Sequence, residues 1–111
     1  MTVEAYELDE RLHVHLQTIL AAYAERHGAN VCVSGGDYLA AAADAIDAKL
    51  APFTHAILNP PYKKISSDSD ARIYARRAGL ETVNLYSAFV GMALEQLQPD
   101  GQLVTIIPRS F

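Results

Sequence analysis

Residues 29–62 read ANVCVSGGDYLAAAADAIDAKLAPFTHAILNPPY. Asn30 to Ser34 is a short β-prone run that breaks at two glycines and an aspartate. The alanine-rich stretch after it reads as a short helix ended by Pro52, since proline cannot continue a helix. Thr54 to Leu58 is a second apolar run, and it stops at Asn59, two prolines and Tyr62. A strand, a helix and a strand in this order form a crossover unit. Strands that are apolar along most of their length predict a parallel sheet buried under helices on both faces. The crossover would be right-handed.

The flanks repeat the pattern. Thr2 to Asp9 (TVEAYELD) is β-prone and turns acidic. Glu10 to Gly28 carries Leu12, Leu16, Ile19, Leu20 and Tyr23 at helical spacing, with Gly28 as the C-terminal stop. Lys63 to Thr82 is rich in charge and reads as loop with some helix. Val83 to Gly101 predicts a helix with Leu85, Phe89, Met92, Ala93 and Leu97 on one stripe, ended by Pro99-Asp100-Gly101. Gln102 to Pro108 (QLVTIIP) reads as a further strand, closed by Pro108. The whole is α/β: a mostly parallel sheet flanked by helices. In such sheets ligands bind beyond the carboxyl ends of the strands. Three of those ends carry a polar device: Glu7-Leu8-Asp9, Gly35-Gly36-Asp37 and Asn59-Pro60-Pro61-Tyr62.

Bulk properties narrow the function. The chain has 111 residues and a net charge of −4, so it is not basic overall as a nucleic-acid glove would be. Half of it is apolar, the balance of a soluble globular protein. Lys63, Lys64, Arg72, Arg76 and Arg77 supply five of its nine basic residues, which reads either as a solvated face or as a phosphate-facing loop. One cysteine, Cys32, excludes a disulfide framework and predicts a small core residue. There is no signal peptide or apolar span, which points to the cytoplasm and no membrane partner. His13 and His15 stand two apart, on different faces of their helix, so no metal site is expected.

Each strand end suggests a chemistry. Proline has no N–H and extends the residue before it. The corner from Asn59 to Tyr62 is therefore a stiff rim of acceptor oxygens beside an aromatic plate. An exocyclic amine suits it. If the Asn59 amide oxygen and the Pro60 carbonyl each accept one hydrogen, the nitrogen lone pair leaves conjugation and becomes nucleophilic. Polar groups fixed in place before reaction often contribute more to catalysis than any other effect. Tyr62 would stack on the ring that bears the amine. Glu7 suits the two hydroxyls of a ribose, with a helix-entry charge as the plainer reading. Asp9 more simply caps the helix beginning at Glu10. Gly35 and Gly36 allow close approach of a ligand, and Asp37 could accept from an adenine amine; alone, the stretch is an ordinary turn. No phosphate-cradling motif is present, which favours an adenosine without phosphates.

Taken in order, these motifs resemble an S-adenosylmethionine-dependent DNA adenine-N6 methyltransferase of the Eco57I-like restriction–modification family. NPPY at Asn59 to Tyr62 is similar to the family's catalytic motif. GDYL at Gly36 to Leu39 and YELD at Tyr6 to Asp9 resemble its adenine and ribose motifs. NLYSAFVGMALEQLQPDGQLVTIIPRSF resembles the helix and strand that follow. The resemblance implies a Rossmann-like fold and methyl transfer to an adenine flipped out of double-stranded DNA. It implies Asn59, Pro60, Pro61 and Tyr62 as the catalytic set, and Glu7, Asp37, Tyr38 and Asn59 at S-adenosylmethionine. It also implies Lys63 and Lys64 at the DNA backbone. The family's Gly-containing first motif, its central first strand, its last strands and a DNA-reading domain have no counterpart here. The chain is thus expected to be a central piece of one catalytic domain, with little activity alone. It would hold two half-sheets whose open edges could pair two copies. Two other readings stand beside this one. One is a protein-glutamine methyltransferase, which carries a similar NPPY. The other is a truncated, non-catalytic domain that only binds a partner.

Overall fold

The structure is a computed structural model that describes residues 1–107. The chain forms two compact units, Met1–Tyr38 and the residues from Leu39 onward. Pro108, expected to close the last strand, and the RSF that follows lie outside the described residues.

In the first unit β1 (Thr2–Tyr6) pairs in parallel with β2 (Asn30–Ser34), from Thr2 opposite Asn30 to Tyr6 opposite Ser34. Between them runs α1 (Glu10–His27). Asp9 caps it, as expected. The Asp9 side chain accepts the Arg11 backbone N–H at 3.0 Å, and the Arg11 guanidinium donates to both its oxygens. Those bonds from Arg11 hold the Asp9 carboxyl below its ordinary range. A lowered carboxyl stabilises above its ordinary pKa and loses that contribution as pH falls through the folded value, so the cap weakens only in acid. Gly28 ends the helix at φ 66°, donating its N–H to the Ala24 carbonyl, the left-handed stop that glycine adopts at no cost.

The buried stripe of α1 differs from the expected one. His13, Leu16, Leu20 and Ala24 are half-buried at spacings of three and four, and α1 lies along β2. Leu12, Ile19 and Tyr23 are exposed. Cys32 is exposed too, contrary to its expected place in the core. Side chains alternate along a strand. Val31 and Val33 face the covered side with Val3 and Ala5, while Cys32 and Glu4 share the open one.

The second unit begins within α2 (Tyr38–Asp47) and continues with β3 (Phe53–Leu58), α3 (Asp70–Arg77), α4 (Leu85–Glu95) and β4 (Leu97–Thr105). α2 ends before Pro52 does any work. Lys49 turns left-handed at φ 60° and Leu50 donates back to the Ala45 carbonyl. β3 and β4 are parallel, with Ala56 opposite Leu103 and Leu58 opposite Thr105. α4 covers one face of the pair and α3 packs on α4. Ile57 and Val104, opposed on the other face, are 84% and 64% exposed. Helices on both faces were expected; each pair is covered on one. The described strands form two separate two-stranded sheets, which agrees with the expectation of half-sheets.

Pro99-Asp100-Gly101 does not end a helix. α4 stops at Gln96, whose N–H bonds the Met92 and Ala93 carbonyls, and Leu97 already pairs with Phe53. The three residues instead take up a register shift inside β4, with Asp100 at φ 67°. A Cβ on Gly101 would lie 2.9 Å from the Gln98 carbonyl and 3.2 Å from that of Thr54. Backbone on both sides makes this position glycine's.

The core of this unit is small and alanine-rich: Leu39, Ala42, Ala43, Ala75, Ala88, Met92 and Ala93 are among its buried residues. Outside it, Arg77 ties α3 to α2 through Asp44 and Asp47. Exposed ion pairs are screened by salt. Arg77→Ala is therefore expected to lower Tm slightly at low ionic strength, with the difference fading in high salt. Thermal unfolding at two salt concentrations checks this.

Candidate functional site

The described structure offers two chemical sites, one in each unit, both built at carboxyl ends of strands.

In the first unit β1 hands over to α1 through Glu7 and Leu8. The Glu7 N–H donates to the Ser34 carbonyl at 3.0 Å, which extends the ladder by one residue and fixes the side chain at the sheet's end. One Glu7 carboxylate oxygen, Oε1, accepts the Asp9 N–H at 3.1 Å. The other remains available. Glu7 lines a cavity of about 510 Å³ together with Leu8, Glu10, His13, Val14 and Gly35. Two carboxylates and no cation line this cavity, so it repels phosphate and suits a ligand that offers hydroxyls or positive charge.

Gly35 and Gly36 follow β2. Neither adopts the left-handed backbone, so conformation alone does not require glycine there. A Cβ on Gly35 would meet the His13 ring at 3.6 Å, an ordinary contact. What the glycine leaves is room beside the cavity. Asp37 is exposed and immediately precedes α2. Tyr38 is not an open plate. It packs edge-on against Tyr6, with ring centroids 5.2 Å apart. Burial first, and then Tyr6, pushes its phenol far above the ordinary value, so it stays neutral. The pair joins the residue before Glu7 to the residue after Asp37.

In the second unit β3 delivers Asn59. The Ile106 N–H bonds the Leu58 carbonyl at 3.1 Å, which holds the strand to its last residue. Pro60 is buried, while Asn59 and Pro61 are exposed and Tyr62 is 44% exposed. The corner is thus anchored by one proline and presented by its other three residues. Among the described residues neither the Asn59 amide nor the Pro60 carbonyl makes a hydrogen bond. The backbone carbonyls of Asn59 and Pro60 find no donor among the described residues, as the double proline led one to expect.

Two supports of this corner escape sequence reasoning. The Tyr62 ring stands edge-on to Tyr86, centroids 6.0 Å apart at 88°. Tyr86 is buried in the first turn of α4, so a core residue sets the angle of the aromatic plate. Beyond Tyr62 the chain makes an antiparallel bridge between Lys64 and Asn84. Ile65 donates to the Val83 carbonyl at 2.8 Å, and Leu85 donates to that of Lys63 at 2.9 Å. Ile65, buried among polar neighbours, is the one signal in the sequence that could have shown it.

The basic stretch divides in two. Arg72 and Arg76 reach Glu81 at 3.6 and 3.4 Å, and Arg76 also donates to the Ser67 carbonyl. Arg77 holds Asp44 and Asp47. Arg72 and Arg76 thus fasten α3 to the loops that flank it, and Arg77 ties it to α2. Lys63 and Lys64 are exposed and pair with no carboxylate among the described residues. They are adjacent to Tyr62.

Comparison with known proteins fits this picture. Over 95% of its length the chain is 45% identical to the Type II methyltransferase M.BsuBI of Bacillus subtilis, of which the match spans 22%. Over 53% of its length it is 51% identical to the Type II methyltransferase M.PstI of Providencia stuartii, of which the match spans 12%. The chain thus spans about a fifth of the first of these relatives. No protein-family model and no solved structure matches it.

Proposed function

We propose, from the chain's correspondence to a segment of the Type II methyltransferases, that it carries catalytic residues of a DNA adenine-N6 methyltransferase acting in a restriction–modification system. The observation that carries this reading is the corner at Asn59 to Tyr62. Asn59, Pro61 and Tyr62 are exposed there, the Asn59 amide and the Pro60 carbonyl make no hydrogen bond among the described residues, and the Tyr62 ring packs perpendicular to that of Tyr86.

S-adenosylmethionine fits the first unit's cavity: Glu7 has a free oxygen for ribose hydroxyls, the acidic lining suits a cationic ligand, and Asp37 would accept from the adenine amine. When bound, that cofactor supplies an electrophilic methyl group. The chain's own residues prepare the acceptor. Asn59 Oδ1 and the Pro60 carbonyl each take a hydrogen from N6 of an adenine flipped out of the duplex. The nitrogen lone pair, freed from the ring, would form the new N–C bond to the methyl carbon as the methyl–sulfur bond breaks, its electrons staying on sulfur to leave S-adenosylhomocysteine. One N6 proton departs to solvent. Pro61 keeps the rim rigid, and Tyr62 stacks on the base to hold it in plane.

The test uses the full-length protein carrying these residues, duplex DNA and methyl-labelled S-adenosylmethionine, with the DNA digested to nucleosides. The expected product is N6-methyladenine. Label on cytosine, or on protein with none on DNA, would overturn the reading. Lys63 and Lys64, unpaired beside Tyr62, are read as phosphate contacts and favour DNA over a peptide substrate. Each phosphate neutralised contributes about 0.9 to the slope of log K against log salt. The double alanine variant is expected to flatten that slope by about two, measured by DNA-binding titrations at several salt concentrations.

A further inference from the structure

His13 is the one polar side chain on the packed face of α1, three residues before Leu16 on the stripe that lies along β2. Its Nε2 is sealed from solvent and has no hydrogen-bond partner. Buried polar atoms without partners are uncommon in native proteins and call for a physical cause. An apolar residue would pack against Gly35 without that penalty. His13 also lines the same cavity as Glu7. Its ring lies flush against the Gly35 position, with both Cδ2 and Nε2 at 3.6 Å from where a Cβ would stand. A Cβ there is tolerated sterically, so the ring is not locked in place by a clash. The Cβ–Cγ torsion of histidine is soft and roughly two-fold. A half-turn about it exchanges Nε2 with Cε1 and carries the nitrogen away from Gly35.

We propose that His13 is the second polar contact of this cavity, closing with Glu7 on a ligand that carries a vicinal diol. Glu7 is acceptor-only when ionised, so it takes a hydrogen from a hydroxyl. A neutral imidazole presents either a donor or an acceptor at Nε2, and each hydroxyl of a diol both donates and accepts. One hydroxyl on Glu7 and its neighbour on His13 satisfy the orphaned nitrogen. The inference rests on the reading of this cavity as the cofactor's ribose site. It makes His13 a discriminator between ribosyl ligands and their deoxy forms.

Calorimetric titration of the full-length protein decides it, using S-adenosylhomocysteine and its 2′-deoxy and 3′-deoxy forms as probes. The unaltered protein is expected to prefer the full diol over one of the deoxy forms. His13→Phe, which keeps a ring of similar size, is expected to weaken S-adenosylhomocysteine by about three- to tenfold, the worth of one hydrogen bond, and to abolish that preference. His13→Gln, which restores a polar group near the same place, is expected to recover both. A His13→Phe protein that still prefers the diol as the unaltered one does overturns the proposal, provided Glu7→Gln weakens binding. If the unaltered protein binds none of the three probes, the cofactor reading of the cavity falls along with it. Thermal unfolding of each variant separates loss of fold from loss of contact.

Discussion

Asn59→Ala, made in the full-length protein, is expected to lower kcat for methyl transfer by about a hundred- to a thousandfold, the usual cost of removing one preorganised polar group from a reacting centre. Cofactor binding is expected to suffer far less, because the Glu7 cavity is untouched. The structural reason is that the amide oxygen of Asn59 makes no hydrogen bond among the described residues, so it is available to the amine. Without it the amine keeps its conjugation and stays a poor nucleophile. Asn59→Asp keeps an oxygen in the same place and is expected to retain more activity than alanine does. Single-turnover assays with labelled cofactor separate chemistry from product release. An alanine variant with unaltered single-turnover rate would show that Asn59 takes no part in activating the amine.

Tyr62 gives the corner its second property. Its perpendicular contact with Tyr86 restrains the ring's tilt, and the residue remains 44% exposed. Stacking on a base requires a ring that is held in orientation and still within reach. The tie between Lys63 to Ile65 and Val83 to Leu85 fixes where the chain leaves the corner. Three independent restraints therefore act on four residues: the β3–β4 ladder before them, Tyr86 beneath, and the bridge beyond.

Much of this was legible in the sequence, and the exceptions have physical causes. Strands 30–34 and 53–58 and the helix opening at Glu10 stand out because local signals agree with the tertiary result: Asp9 caps, Gly28 stops and β-branched residues cluster. The stop before Pro52 was misplaced because a non-glycine residue, Lys49, takes the left-handed backbone, which composition does not announce. Pro99-Asp100-Gly101 has the same composition as a helix stop and as a bulge. Only the pairing of Leu97 with Phe53 decides between them, and that is a long-range contact. Cys32 and the outer stripe of α1 were misread for one reason. Apolar strands and helices suggest cover on both sides, whereas each described pair has cover on one. At the candidate site the sequence indicated the acceptors but not their supports, since Tyr86 and Ile65 act through packing between segments far apart in the chain. The basic stretch looked uniform, and only the positions of Glu81, Asp44 and Asp47 divide it into structural arginines and free lysines.

The other large effect expected is on stability, from Met92→Ala. Met92 is fully buried on α4, the helix that covers β3 and β4. Several of the unit's other buried residues are alanines, including Ala88 and Ala93 on the same helix. Short side chains on rigid backbone cannot close over a lost thioether, so the cavity should persist. Removing a buried Met side chain costs about 2–5 kcal/mol, and the upper part of that range applies where neighbours cannot collapse. Such a loss is a large share of the roughly 5–15 kcal/mol that holds a typical domain folded. Urea unfolding is expected to show a lower midpoint at unchanged slope. Met92→Leu, close in volume, is expected to cost less than about 1.5 kcal/mol. Alanine and leucine variants of equal stability would mean that Met92 is not the keystone of this core. The same substitution reaches the candidate site, because α4 also carries Tyr86. Loosening that helix frees Tyr62 from its prop, so the Met92→Ala protein should lose methyl transfer at temperatures where most of its molecules are still folded.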